Sequence, residues 1–321
     1  MSFLDPYFYT SVPCILLSIQ IILLGSFVIR FYRNAEPTFV PMMYILISSS
    51  DILSAVGFIH QSIVTSLYAS DLINARALRW NFAIFYALTS LSYRSSVFYN
   101  VVLAVCRTIN IVSPFYVINK KAVITACTVY PAIWAVVITC DVYELFKYQP
   151  GLILKYQLEI PLVGVYLCSA ALPNEGLVKL IIFSSLFFPF LVPVVIVFVA
   201  CIIQVVCLYK TRHEAGSSDN HVTVTIFMIS TLFVICNSVL TIFSFTLIFL
   251  FEPEITMYVF ADKMAWFGVV LTTIFPLMNG AFNPVIIVCR SSGLRREFVS
   301  LVSKARERWN THRNQNTVAG Q

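Results

Sequence analysis

The sequence predicts an all-α integral membrane protein: a seven-transmembrane helix bundle followed by a short amphipathic eighth helix. Three observations carry that expectation. First, the 321 residues are 59% hydrophobic and only 11% charged, whereas soluble domains run near half apolar and a quarter charged. A soluble fold of this size still leaves roughly a quarter of its chain surface in water, and a mean hydropathy of +0.85 does not allow it. Second, seven apolar runs are each long enough to cross a bilayer, which takes about 20 residues. Third, the basic residues fall unevenly on the two sides those runs would define. Together these exclude a water-soluble enzyme, a disordered chain and a disulfide scaffold. The net charge of +6 is then a topology signal rather than a nucleic-acid patch, and no nucleic-acid partner is expected.

The runs are taken in order. Residues 1–10 form a short extracellular N-terminus ahead of the first run, 11–30. That run has no basic segment before it, and its apolar core exceeds the roughly 7–15 residues of a signal peptide, so it counts as a span. The second run, 40–68, carries Asp51. The third, 82–107, has Arg94 at its middle and Arg107 at its end. The fourth, 122–142, contains Trp134, and the long loop 143–176 that follows holds Cys168. The fifth, 177–209, includes Pro193; the sixth is 221–250; the seventh, 264–289, includes Pro284. No alternation suggestive of membrane strands appears, and no similar halves suggest an inverted-repeat transporter. After the seven-span core 11–290, residues 291–321 are expected to form an amphipathic helix and tail. Leu294, Phe298, Leu301 and Val302 share one face there, against Arg295, Arg296, Lys304, Arg306 and Arg308. Such a helix lies on an anionic inner leaflet.

Orientation follows from Lys and Arg. With the N-terminus outside, the inner side holds thirteen: Arg30, Arg33, Lys120, Lys121, Lys210, Arg212, Arg290, Arg295, Arg296, Lys304, Arg306, Arg308 and Arg313. The outer side holds six: Arg76, Arg79, Lys147, Lys155, Lys179 and Lys263. The C-terminus is therefore expected inside.

Charges within the bilayer cost about 3 kcal/mol or more and usually mark function. Asp51 sits in Ser48-Ser-Ser-Asp51-Ile-Leu-Ser54. Ser96 and Asn100 on the third span, and Asn279 and Asn283 on the seventh, are i,i+4 pairs that each share a helix face. Either these five meet in a polar cluster, or each bonds a local backbone carbonyl. Arg107 lies seven residues beyond Asn100, on the same face, and is either a snorkelling interfacial residue or part of that polar system. The nine cysteines contain no CxxC pair and no Cys/His metal spacing, so no transition-metal site is expected.

The stretch Leu103-Ala-Val-Cys-Arg107-Thr-Ile-Asn-Ile111-Val-Ser-Pro114-Phe-Tyr116 resembles the end of the third span in rhodopsin-like G-protein-coupled receptors. Further landmarks follow in that family's order: Asp51, Trp134, Phe190-Leu-Val-Pro193, Phe233-Val-Ile-Cys236, Asn283-Pro284 and Leu294-Arg-Arg-Glu-Phe298. The pattern is most similar to nematode serpentine receptors, a chemoreceptor-rich group. There are departures. The acid before the family's Arg is Cys106, the Tyr after it is Thr108, the span-one Asn is Ser26, and the span-six Trp is Asn237 followed by Ser238 and Val239. Cys201 and Ile287 replace two tyrosines, and no Cys opens the third span to pair with Cys168.

The resemblance implies a plasma-membrane receptor, not an enzyme, that takes a small-molecule or peptide ligand outside and couples to a heterotrimeric G protein inside. It implies Arg107, Asp219 and Pro114 as the coupling and switch residues, with Asp219 as the acid facing Arg107. It implies Pro193, Pro284 and Trp134 as kink and packing residues. It implies a core network of Asp51, Ser96, Asn100, Asn279 and Asn283 whose hard oxygens suit a sodium ion, the one ion or cofactor expected. Thr89 and Leu277 stand where amine receptors carry Asp and opsins carry Lys, which disfavours both ligand classes. The expected pocket is Tyr86, Thr89, Tyr93 and Arg94, with Thr241, Ser244 and Thr273. Arg94 is read either as a partner for an anionic ligand group or as the partner of Asp141, Glu144 or Glu159. An odorant-gated channel with its N-terminus inside is the alternative, as is a membrane enzyme or transporter. The charge count opposes the channel. The lack of a nucleophile–base pair or paired membrane carboxylates opposes the other two.

Overall fold

In the computed structural model the described residues are 5–34, 38–69, 72, 75–113, 119–148, 191–211, 217–250 and 274–319. All regular structure among them is helical. The elements are α1 (Asp5–Arg33), α2 (Phe39–Ala69), α3 (Ala75–Val112), α4 (Lys120–Tyr148), α5 (Val192–Thr211), α6 (Ser217–Leu250), α7 (Phe275–Arg290) and α8 (Ser292–Ala319). A helix satisfies its own backbone polar groups, which is what an apolar solvent demands. Five helices contain stretches long and apolar enough to cross a membrane: Val12–Arg33, Phe39–Val64, Ala87–Val112, Lys121–Ile138 and Val222–Val239. The described part of α5, Val192–Cys207, is a shorter apolar helix, and α7 has 16 residues. The N-terminal part of the fifth apolar run and of the seventh, and the loop with Cys168, lie outside the described residues.

The helices pack around α3. It touches α2, α4, α5 and α6, while α1 packs on α2 and α7, α5 on α6, and α6 on α7. The contacts close a ring, α1–α2–α3–α5–α6–α7–α1, with α4 outside it against α3. Apolar residues divide accordingly. The inner core joins Val28, Met43, Ile47, Leu103, Ile226, Ile229, Ile287 and Leu294. A second cluster joins Ile21, Ala55, Phe58, Phe85 and Leu277. A third ties α3 to α5 and α6 through Val97, Ala104, Val197, Ala200 and Phe233. Leu16, Leu23, Ile133, Val136, Phe198 and Ile242 stand exposed on the outside, an apolar perimeter that suits lipid rather than water.

Helix ends are set by short polar side chains. Asn119 Oδ1 accepts from the amides of Lys121 and Ala122 at 3.0 and 3.4 Å, capping the start of α4. Ser291 breaks the chain between α7 and α8 by taking an extended backbone, φ −82° and ψ 113°. Its hydroxyl then accepts from the Leu294 amide at 3.4 Å, so α8 starts anew in another direction. The amphipathic helix expected within 291–321 is not short: α8 has 28 residues. Its root is held by fully buried Leu294 and by Phe298, edge-on to Phe27 of α1 at 5.6 Å between ring centres. Beyond that root Val299, Leu301 and Val302 are exposed alongside the basic residues.

Candidate functional site

Asp51 is brought into the interior by α2, where its carboxylate meets α3 and α7. The Ser96 hydroxyl donates to Asp51 Oδ1 at 2.6 Å, and the Asn283 amide donates to Oδ2 at 3.3 Å. Ser96, Asn100, Asn279 and Asn283 are all buried with it. Asn100 donates instead to the Ser96 carbonyl at 2.9 Å, so it takes the local bond open to it. The two readings of the polar residues therefore divide: Ser96 and Asn283 reach the acid, Asn100 does not. Oxygen atoms are left over. The Oδ1 atoms of Asn100, Asn279 and Asn283 and the hydroxyls of Ser18 and Ser48 are buried without a hydrogen-bond partner among the described residues. A buried acceptor with no donor is unusual. Asn283, bonded to Asp51, presents such an oxygen next to the carboxylate, and hard oxygens of this kind are the donors a small cation takes. No cluster of three His, Cys, Asp or Glu side chains occurs among the described residues.

Close approach makes this site. A Cβ placed on Gly280 would lie 3.3 Å from both Cβ and Cγ of Asp51 and 3.4 Å from Ile21. The missing side chain at Gly280 lets α7 lie directly against Asp51. Gln20 of α1 adds a bond to the Ala281 carbonyl at 3.2 Å, in the turn before buried Pro284, whose lack of an N–H weakens the helix there.

Near the C-terminal end of α3, Arg107 reaches α6. Its Nε donates to Thr223 Oγ1 at 3.0 Å, and its Nη2 donates to the same hydroxyl. Asp219 lies one turn earlier on α6, with its side chain outside the described set, and Pro114 lies outside the described residues. Beside Arg107, fully buried Gln204 of α5 donates to Thr108 Oγ1 at 3.0 Å and to the Ala104 carbonyl at 3.2 Å. α3 is thus joined to α6 by Arg107 and to α5 by its neighbour Thr108.

Fourteen residues before Arg107 on α3, the Tyr93 hydroxyl donates to Asn237 Oδ1 on α6. Asn237 also donates to the Phe233 carbonyl at 2.8 Å and accepts from Thr241 at its own carbonyl at 2.7 Å. Tyr93 and Thr241 therefore meet around Asn237. Thr89 bonds the Phe85 carbonyl at 2.6 Å, and its methyl occupies the space left by Gly57. Arg94 points elsewhere, with its Cζ 4.1 Å from the Trp134 ring centre on α4. Pro193 is buried at the start of α5. Tyr86 and Ser244 lie on α3 and α6 with side chains outside the described set, and Thr273 is outside the described residues.

Several of these residues were not singled out from sequence: Thr223, Gln204, Gln20 and Gly280. Two carried a readable signal, since Gln20 and Gln204 are amides inside apolar runs and need partners there. Asn237 had the same signal but was noted only for the Trp it replaces. Thr223 and Gly280 are ordinary residues in a membrane helix, and nothing local marks them. No family model matches the sequence, and no curated protein matches it.

Proposed function

We propose that the chain is a plasma-membrane receptor of the rhodopsin-like G-protein-coupled kind, closest in pattern to nematode serpentine chemoreceptors. In this reading α1 to α7 all cross the bilayer, with the N-terminus outside and the C-terminus inside. The amphipathic α8 lies on the inner leaflet, its basic residues toward anionic headgroups. An external small molecule or peptide binds in the outer half, and a heterotrimeric G protein engages the inner end of α3. The observation that carries the reading is the bond from Arg107 to Thr223, because it fastens together the inner ends of two helices that must part to admit a cytoplasmic partner. The Thr223 hydroxyl is one acceptor for the guanidinium, and Asp219, one turn earlier on α6, is proposed as the acid that acts with it. Ligand contact near Tyr93, Asn237 and Thr241 acts on the same two helices. Asp51, Asn279 and Asn283, with the free oxygen of Asn100, would hold a sodium ion at the junction of α2, α3 and α7, and Ser96 would orient the Asp51 carboxylate. That ion would supply charge neutralisation for Asp51 and no chemistry.

The test has two parts. An N-terminal epitope should label on intact cells and a C-terminal one only after permeabilisation. Nucleotide exchange on co-expressed G proteins should then be lost in Arg107→Ala at equal surface expression. An N-terminus hidden until permeabilisation overturns the reading in favour of the channel topology.

A further inference from the structure

Arg94 is a cation placed where no role has been found for it. It is only 6% exposed, deep in α3. Its neighbour Tyr93 turns toward α6, so Arg94, about 100° further round the helix, faces α4. There the guanidinium lies over Trp134 at 4.1 Å. Below it Phe98, one turn along α3, stacks on Tyr130 at 4.0 Å and 6° between ring planes, and Tyr130 meets Trp134 edge-on at 6.2 Å. This ladder supports one face of the guanidinium and fixes its position. Its hydrogen-bonding edge is unspent: Nη1 is buried and has no acceptor among the described residues.

A guanidinium cannot shed its proton in a protein, and a buried charge requires a partner of opposite sign. Among the described side chains no carboxylate bonds Arg94 Nη1. Asp51 is engaged by Ser96, two positions from Arg94 and therefore on the far side of α3. On α4 the backbone of Asp141 lies seven residues past Trp134 and that of Glu144 ten, about 10 and 15 Å along the axis. The surroundings are apolar. Val97 and Val101, which share the Arg94 side of α3, pack in the cluster with Val194 and Val197 of α5.

We propose that Arg94, floored by Trp134, anchors the carboxylate of a small lipophilic acid bound between α3, α4 and α5. A single planar fork matches a carboxylate in geometry and in charge, whereas a phosphate dianion would leave one negative charge buried and uncompensated. The apolar remainder of the ligand lies against the exposed aliphatic side chains of α4 and α5. The inference deepens the receptor reading, on which its signalling consequence rests; binding itself does not depend on it.

The probe is decanoate, added to the full chain in phosphatidylcholine nanodiscs, with decanol and decyltrimethylammonium as chain-matched controls. Saturable thermal stabilisation and a change in tryptophan emission are expected with decanoate alone. Butyrate carries the same headgroup but stays in water, so a response to it identifies entry from the aqueous side, and a response restricted to decanoate identifies entry through the bilayer. Arg94→Gln should weaken decanoate binding roughly ten- to a hundredfold, the worth of a charge-assisted hydrogen bond, and Arg94→Lys should retain part of it. Equal responses to decanoate and decanol in the wild type overturn the proposal without recourse to any variant, and so does unchanged affinity in Arg94→Gln. If Asp141→Asn, Glu144→Gln or Glu159→Gln destabilises the wild type but not Arg94→Gln, the partner is internal and the proposal fails. Decanoate binding without nucleotide exchange on any G protein would sink the receptor reading and leave the site standing. Exchange without decanoate binding would do the reverse.

Discussion

Replacing Thr223 by Val tests the tie between α3 and α6 at Arg107 with almost no change of shape. The hydroxyl of Thr223 accepts from two nitrogens of Arg107, and valine keeps the volume while removing the acceptor. Hydrogen bonds to charged groups contribute about 1.5–3 kcal/mol, and bonds measured between membrane helices reach about 1.7 kcal/mol at most. A loss of about 1.5 kcal/mol multiplies the open-to-closed ratio roughly twelvefold, since 1.4 kcal/mol is a factor of ten. On the receptor reading proposed above, a state populated at about 1% would rise to about 10%. Basal nucleotide exchange should then rise by about an order of magnitude, and spin labels near Arg107 of α3 and Thr223 of α6 should report a new population at longer separation. Thr223→Ser keeps the hydroxyl and should stay quiet. The reasoning is refuted if Thr223→Val matches the wild type in both readouts at equal expression, or if Thr223→Ser is as active as Thr223→Val.

Two further predictions concern the α2–α3–α7 junction. Asp51→Ala leaves the donors on Ser96 and Asn283 buried without an acceptor, which costs roughly 1–3 kcal/mol for each group. Asp51→Asn keeps one oxygen and should be milder in thermal unfolding of the purified protein. Exchanging choline chloride for sodium chloride should stabilise the wild type and leave Asp51→Asn unmoved; equal behaviour of the two would remove sodium from the site. At Gly280, alanine needs its neighbours to move by only a few tenths of an ångström. Gly280→Leu drives a side chain into Asp51 and Ile21 and should cost about 1–3 kcal/mol, as overpacking does. Wild-type stability in Gly280→Leu would mean that α7 does not press on Asp51.

The all-helical, membrane-type fold was readable from the apolar runs because lipid permits few alternatives. The meeting of Asp51 with Ser96 and Asn283 was readable for a related reason: a carboxylate in an apolar solvent has to find donors, and the i,i+4 pairs offered them. What was not readable depends on helix rotation. Tyr93 and Arg94 are adjacent in sequence and were expected in one pocket, yet they reach α6 and α4 respectively. Both are polar, both can be buried, and nothing local decides which of the two faces a given neighbour. One partner of Arg107 was hidden in the same way: a threonine does not stand out in an apolar run, yet the Thr223 hydroxyl accepts from the guanidinium. Gly280 is silent in a sequence because its contribution is an absence, visible only once Asp51 lies against it.

The two polar contacts between α3 and α6 share one register. Arg107 follows Tyr93 by fourteen residues on α3, and Asn237 follows Thr223 by fourteen on α6. The helices run in opposite directions, so each tie sits opposite its partner with about 21 Å of helix between the ties on both sides. Between them Phe233 of α6 is fully buried and packs in the cluster with Val97 and Ala104 of α3. A pair of rigid rods fastened at both ends and filled in the middle does not slide by a fraction of a turn, because packed side chains resist continuous deformation. It can pivot about the filled middle, with one tie loosening as the other shifts. On that account Asn237 is the second tie, and the coupling between the two ends is carried by the length of α6. A double-mutant cycle decides the matter. If Tyr93→Phe and Thr223→Val act through one pivot, their effects on basal exchange depart from additivity by more than the roughly 0.3–0.5 kcal/mol tolerated for independent distant sites. Simple addition would mean that the two ties hold α3 and α6 separately.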